Sequence, residues 1–89
     1  MSLTLDFAPD AKSQWLELDV DPQELVLDLI EEFLRRPIPP SLERTLLDGF
    51  VERPEGRTYV FVHVAVNRPM KKLSITGVNR FFRPAAPHT

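Results

Sequence analysis

Residues 56–83, GRTYVFVHVAVNRPMKKLSITGVNRFFR, predict the two long strands around which the fold is built. Over 57–66 the side chains alternate with the two-residue period of a strand, and apolar bulk on both faces indicates a central strand. Turn residues at 67–70 precede a return strand over 71–78, in which Gly77 marks a β-bulge. The resulting antiparallel hairpin has a mainly apolar face for packing and a mixed face.

The same hairpin concentrates positive charge. It holds six of the eleven basic residues and no acidic residue. The first 55 residues hold all thirteen acidic residues and five basic ones, so a net charge of −8 is followed by one of +6. This asymmetry concerns partners rather than the fold, and it predicts that an anion binds to the hairpin. The alternative is a solvated hairpin whose charges protect edge strands and offset the acidic helices.

The residues before the hairpin predict a strand and two helices. Residues 3–7 alternate apolar and polar side chains, which indicates a short strand. Apolar positions three and four residues apart over 8–18 indicate a short helix with Trp15 in the core. A second helix is expected to begin with Asp21 as its N-cap and Pro22 as its first residue.

The second helix is expected to end at Arg35 or the next residue, because Pro37 disfavours helical geometry in its predecessor. Residues 41–47 predict a helical turn or an irregular segment, and 49–53 a first hairpin strand closed by a turn at 54–56. The sequence therefore predicts an α+β domain. A two-helix hairpin packs on one face of a small sheet, made of a short N-terminal strand and three antiparallel strands.

Composition restricts the chemistry. The chain has 89 residues, which predicts one domain over 1–83 and a flexible tail over 84–89. Without cysteine there is no disulfide, thiol nucleophile or cysteine-bound zinc, and because His63 and His88 lack ligand spacing we predict no metal or cofactor. No apolar run reaches the ~20 residues of a membrane span, and no signal peptide is recognisable. We therefore expect a cytoplasmic protein with no membrane partner.

Short segments distributed along the chain form a further pattern. They are FAPDAK at 7–12, Leu18 and Asp21-Pro22 at the helical elbow, the helix end before Pro37, LDG at 47–49 and VNRFF at 78–82. Together they cover residues 3–83 and resemble the RelE/ParE toxin superfamily. The resemblance implies a RelE/ParE-like fold and a toxin of a toxin–antitoxin module, acting as a ribosome-dependent messenger RNA endonuclease or as an inhibitor of DNA gyrase. It also implies an antitoxin-like polypeptide as partner.

The resemblance assigns roles to several strand residues. Arg53 or Arg57 would contact phosphate, and Arg80 matches the arginine at the end of the family's last strand. If RNA is cut, Arg57 and Arg80 would stabilise the developing charge. Phe82 stands where ribonuclease members place a tyrosine, and it has no hydroxyl, so the sequence leaves open whether the protein is an enzyme.

His63 and Tyr59 are the candidates for proton transfer, because both share a strand face with Arg57 and histidine exchanges protons near neutral pH. The alternative is that both are packing residues at the margin of the core. The candidate anion-binding residues are Arg53, Arg57, Lys72, Arg80 and Arg83. Four phenylalanines either stack on bases or fill the core and accept a partner strand or helix: Phe50, Phe61, Phe81 and Phe82.

A second function hypothesis uses the same fold without catalysis. In it the protein is a protein- or nucleic-acid-binding module whose basic hairpin docks an acidic protein or a nucleic acid, and nothing is cut. Self-association into a homodimer is a third kind of partnership that the sequence leaves open.

Overall fold

A computed structural model describes residues 3–86 of the chain. Its elements are β1 (Thr4–Phe7), α1 (Pro9–Leu16), α2 (Val20–Arg35), β2 (Arg44–Arg53), β3 (Gly56–Asn67) and β4 (Lys72–Pro84). The four strands form one sheet in the order β1-β4-β3-β2, in which β1 runs parallel to β4 and the other neighbours are antiparallel. The predicted α+β class, with two helices and a small sheet, is confirmed.

The core lies between the helices and one face of the sheet. Its buried side chains are Ala11, Leu18, Val26, Ile30, Val60, Val62, Val64, Leu73, Ile75 and Val78. The valines of β3 are those predicted for the apolar face, and they alternate with residues that are exposed or half-buried. The inner faces of β3 and β4 thus supply the apolar sheet surface that helix packing removes from water.

The second helix begins two residues earlier than expected. It starts at Val20 with Asp19 as N-cap, rather than at Pro22 with Asp21 as cap, and the Asp19 side chain makes no capping hydrogen bond. Pro22 is tolerated inside the first turn because the first four amides of a helix have no intrahelical acceptor. The helix ends at Arg35, as Pro37 predicted.

The prediction of a helical turn or irregular segment over 41–47 is wrong from Arg44 onward. β2 begins there and pairs with β3 along its whole length, from Arg44 opposite Ala65 to Arg53 opposite Gly56. β3 is twelve residues long, and ten of its residues pair with β2, which satisfies backbone groups that β4 leaves unpaired. Pairing with a distant strand therefore outweighs the local preference of this segment.

A β-bulge interrupts β4 where Gly77 predicted it. His63 pairs with Gly77 while Val64 pairs with Ile75, so Thr76 has no partner on β3. The Val78 amide donates a 2.8 Å hydrogen bond to the Gln14 side-chain oxygen of α1. The extra residue reverses the alternation of β4, so that every later side chain lies on the opposite face from the one an unbroken strand would give it.

β4 extends further towards the C-terminus than the sequence predicts. β4 continues past Val78 to Pro84, and the Ala85 amide donates to the Glu55 carbonyl at 2.9 Å. The predicted tail at 84–89 thus begins inside β4, while residues 87–89, with His88, lie outside the described residues. Within residues 3–86 neither helix is long and apolar enough to span a membrane.

Candidate nucleic-acid interface

The sheet face opposite the helices is left uncovered by every element within residues 3–86, and we call it the open face. Its residues on the three long strands include Arg44, Leu46, Asp48, Phe50, Glu52, Arg57, Tyr59, Phe61, His63, Ala65, Asn67, Lys72, Ser74, Asn79, Phe81 and Arg83. None of these side chains belongs to the buried core. The open face is therefore a broad, mixed surface accessible to a ligand.

Three aromatic side chains form a row across the open face, one from each of three neighbouring strands. The Phe50 and Tyr59 ring centroids are 5.8 Å apart, and those of Tyr59 and Phe81 are 6.4 Å apart. Phe50 is 47% exposed and Phe81 is 60% exposed. We call these residues the aromatic row. Its exposed rings present flat apolar surface of a size that can stack on a nucleotide base.

Arg57 lies at one end of the aromatic row. Its guanidinium carbon is 4.6 Å from the centre of the Phe50 ring, and its Nε donates a 3.0 Å hydrogen bond to Glu52. The Tyr59 hydroxyl first, and the Glu52 carboxylate second, raise the pKa of Arg57 above its usual value. Arg57 thus stays cationic, and its side chain is oriented on the aromatic row before any ligand arrives.

Arg83 lies directly opposite Arg57 in the pairing of β3 with β4. No carboxylate lies within ion-pair distance of Arg83 in the part of the chain that the structure describes. Both arginines line a shallow groove of about 590 Å³, together with Glu52, Arg53, Gly56, Tyr59 and residues 84–86. This end of the open face therefore offers two adjacent cations, only one of which is already paired.

His63 and Arg57 do not converge on one reaction centre. They lie six residues apart on β3, which is about 20 Å along a strand. The His63 Nε2 atom is 3.0 Å from the side-chain oxygen of Asn79, which lies diagonally across on β4, opposite Phe61. Of the predicted proton-transfer candidates, only Tyr59 lies beside Arg57.

Arg80 and Arg53 lie on the other face of the sheet. Arg80 pairs with buried Val60 across β3 and β4, which places it on the helix side. Arg53 forms a 2.6 Å ion pair with Asp21 of α2. Both arginines line a separate groove of about 360 Å³ with Asp19. Arg53 also lines the groove of Arg57 and Arg83, so it lies at the border of the two grooves. The structure therefore separates Arg80, and not Arg53, from Arg57.

Lys72 is distant from the other basic candidates. It shares the open side of the sheet but pairs with Thr4 and Asn67 at the opposite end of β4. Eleven residues separate it from Arg83, which is about 35 Å of strand. Of the five predicted anion-binding residues, Arg53, Arg57 and Arg83 line one groove, and Arg53 is already paired with Asp21.

The sequence does not show that the three rings form a row, and it indicates Tyr59 as a candidate for proton transfer rather than for stacking. Phe50 and Phe81 were assigned to base stacking or to the core without a decision between them. The deciding signal is the alternation: Phe50 lies opposite Tyr59 and Phe81 follows the bulge, which together place both rings on the open face. Phe82, the neighbour of Phe81, lies on the helix side with Arg80.

The described residues 3–86 contain no group of three acidic or histidine side chains arranged to hold a metal ion. Comparisons of this chain with models of protein families, with curated proteins and with solved structures find no match.

Proposed function

We propose that this protein is a cytoplasmic module that binds single-stranded RNA on the open face of its sheet. The aromatic row stacks on unpaired bases, and Arg57 and Arg83 contact the phosphates between them. The observation that carries the proposal is an exposed row of three rings on neighbouring strands, with two cross-strand arginines at its end. A four-stranded sheet with surface aromatics is a known way of binding unpaired bases.

The ligand is single-stranded because only an unpaired base exposes its ring faces. In a duplex those faces are stacked, and the bases meet a protein by their edges. Polar groups beside the row, the His63–Asn79 pair among them, supply hydrogen-bond partners for the ribose 2′-hydroxyl. RNA is for this reason preferred over DNA in the proposal.

Phe81→Ala is expected to weaken RNA binding by about 1–3 kcal/mol, which is the usual loss of one stacked base. The measurement is fluorescence anisotropy with a labelled unstructured RNA, and circular dichroism verifies folding. Phe82→Ala is the matched control, since Phe82 is the adjacent residue, is 48% exposed and lies on the other face. Equal losses in both variants would exclude the open face as the binding surface.

Because only Arg57 and Arg83 contact phosphate in this proposal, the affinity for RNA should depend only weakly on salt concentration. Each phosphate contact to a single strand contributes about 0.7 to the slope of log affinity against log salt concentration, so we expect a slope near −1.4. Arg83→Ala should reduce that slope by about 0.7. Arg80→Ala, a matched change on the helix side of the same strand, should leave it unaltered. If Arg80→Ala reduces the slope and Arg83→Ala does not, the anion binds in the groove lined by Arg80 and not on the open face.

A second candidate is a toxin of the RelE/ParE kind, held by an antitoxin-like polypeptide and directed at messenger RNA or DNA gyrase. The element order supports it, because one strand, two helices and three strands follow the arrangement that the sequence resemblance implies. Arg57 and Tyr59 line the same groove, which brings a cation and a hydroxyl to one site, and these are the minimum for assisted attack on a phosphate.

If the toxin proposal holds, Tyr59→Phe should restore growth when expression is induced, because the ring still stacks and only the hydroxyl is lost. Growth rate with soluble protein verified is the measurement, and mapping of messenger RNA ends against gyrase-linked DNA breaks separates the two targets. Arg80→Ala tests the residue that the resemblance favours. Unimpaired growth with the unaltered protein would exclude a toxic activity in that host and leave the binding proposal standing.

A further inference from the structure

The exposed side of α2 carries apolar side chains at a regular spacing. Val20, Leu27 and Leu34 recur every seven residues, and they are 65%, 43% and 41% exposed. A seven-residue spacing keeps side chains on one side of a helix, turning by only about 20° at each step. These three residues, which we call the α2 stripe, lie on the side of the helix that borders the face carrying the core side chains Val26 and Ile30.

Acidic residues flank the α2 stripe. Glu24, Asp28 and Glu31 are exposed on the same side of the helix. Within residues 3–86, Glu24 and Asp28 form no ion pair, while Glu31 is paired with Arg35 at 2.6 Å. An apolar stripe beside unpaired carboxylates on a regular helix is the form of surface that a second helix of opposite charge can cover.

We propose that the α2 stripe docks a basic amphipathic helix from a partner protein. The partner would place apolar residues at three- and four-residue spacing against Val20, Leu27 and Leu34, with lysines or arginines beside Glu24 and Asp28. The stripe spans fourteen residues, or about 21 Å of helix, so a partner segment of about four turns covers it. This surface lies across the sheet from the open face, so the proposal is independent of RNA binding.

The negative charge beside the α2 stripe favours a basic partner helix over a second copy of the chain and over a membrane surface. A second copy of the chain, packed antiparallel about Leu27, would bring Glu24 of one protomer near Glu31 of the other, and like charges at such positions are destabilising. A membrane surface carries anionic lipids and would repel the same carboxylates. A helix with lysine or arginine on its flanks meets both requirements of the surface, apolar contact and neutralisation.

The test uses a synthetic helical peptide of about eighteen residues, with leucine at three- and four-residue spacing and lysine on the flanking positions. Binding to the full chain is measured by anisotropy at low salt. The controls are a scrambled peptide of the same composition and an analogue with glutamate in place of lysine. We expect the patterned lysine peptide to bind at least about tenfold more tightly than either control.

Two sets of variants locate the binding. Leu27→Ser, and separately the pair Glu24→Gln with Asp28→Asn, should each weaken peptide binding by about tenfold, while Phe81→Ala should leave it unchanged. Equal affinity for the scrambled peptide, or no effect of either set in folded protein, overturns the proposal. A dimer in sedimentation that Leu27→Ser dissolves would also overturn it, in favour of a second copy. Measuring RNA binding on the same samples keeps the two surfaces distinct.

Discussion

Gly56→Ala should destabilise the protein by at least about 2–3 kcal/mol, because two costs combine at this residue. Gly56 has a φ of 149°, a backbone conformation that residues with a side chain rarely adopt. A Cβ there would also lie 2.3 Å from the Arg83 carbonyl oxygen, which belongs to the paired backbone of β4. Backbone atoms in a sheet cannot move aside without breaking the hydrogen bonds around them, so the strain stays in the folded state. Urea unfolding followed by circular dichroism measures the loss.

The matched control for this substitution is Gly77→Ala in the bulge. A Cβ at Gly77 would have the His63 ring carbon Cδ2 as its nearest neighbour, at 3.2 Å, and an exposed side chain can turn away. We therefore expect a cost within about 1 kcal/mol. Equal destabilisation by the two substitutions would contradict the explanation from backbone conformation. Gly56 also fixes the hairpin end where Arg57 and Arg83 meet, so Gly56→Ala should weaken RNA binding as well.

The elements with strong local signals were predictable from the sequence. The alternation over β3 gave the correct inner face, since the valines at 60, 62 and 64 are buried. Pro37 gave the end of α2, and Gly77 gave the bulge. Each of these signals acts within a few residues: a side-chain period, a steric conflict next to proline, or the absence of a side chain.

The features that the sequence missed depend on residues far apart in the chain. β2 begins at Arg44 because it pairs over ten residues with β3, on the other side of the turn. The parallel pairing of β1 with β4 joins the two ends of the described segment. Neither pairing leaves a local pattern in composition, since both are decided by the cost of unsatisfied backbone groups in the assembled sheet.

The candidate site shows the same limit. The sequence grouped Arg80 with Arg57 by charge and resemblance, but one unpaired residue in the bulge places Arg80 on the helix side and Arg83 on the open face. A shift of one residue moves every later side chain to the other face. Gly77 indicates that β4 contains a bulge, but it does not show which residue of β4 is left unpaired. The faces of Arg80 and Arg83 depend on that residue, so the site could not be predicted from the sequence.

Leu73→Ala is the substitution in the core with the largest expected cost, about 2–5 kcal/mol of unfolding free energy. Leu73 is fully buried on β4, where the strand is enclosed between β1 and β3 and covered by the helices. Leu46→Ala is the matched control, because Leu46 is 50% exposed at the edge strand and its substitution should cost less than about 1 kcal/mol.

A domain of this size is stabilised by only about 5–15 kcal/mol, so Leu73→Ala alone can remove a large share of that stability. The core is economical, with ten buried apolar side chains among residues 3–86, and Leu73 is among its largest. A small loss at Leu73, no greater than at Leu46, would show that the helices do not close over β4. The open face would then lose the rigid sheet on which its aromatic row depends.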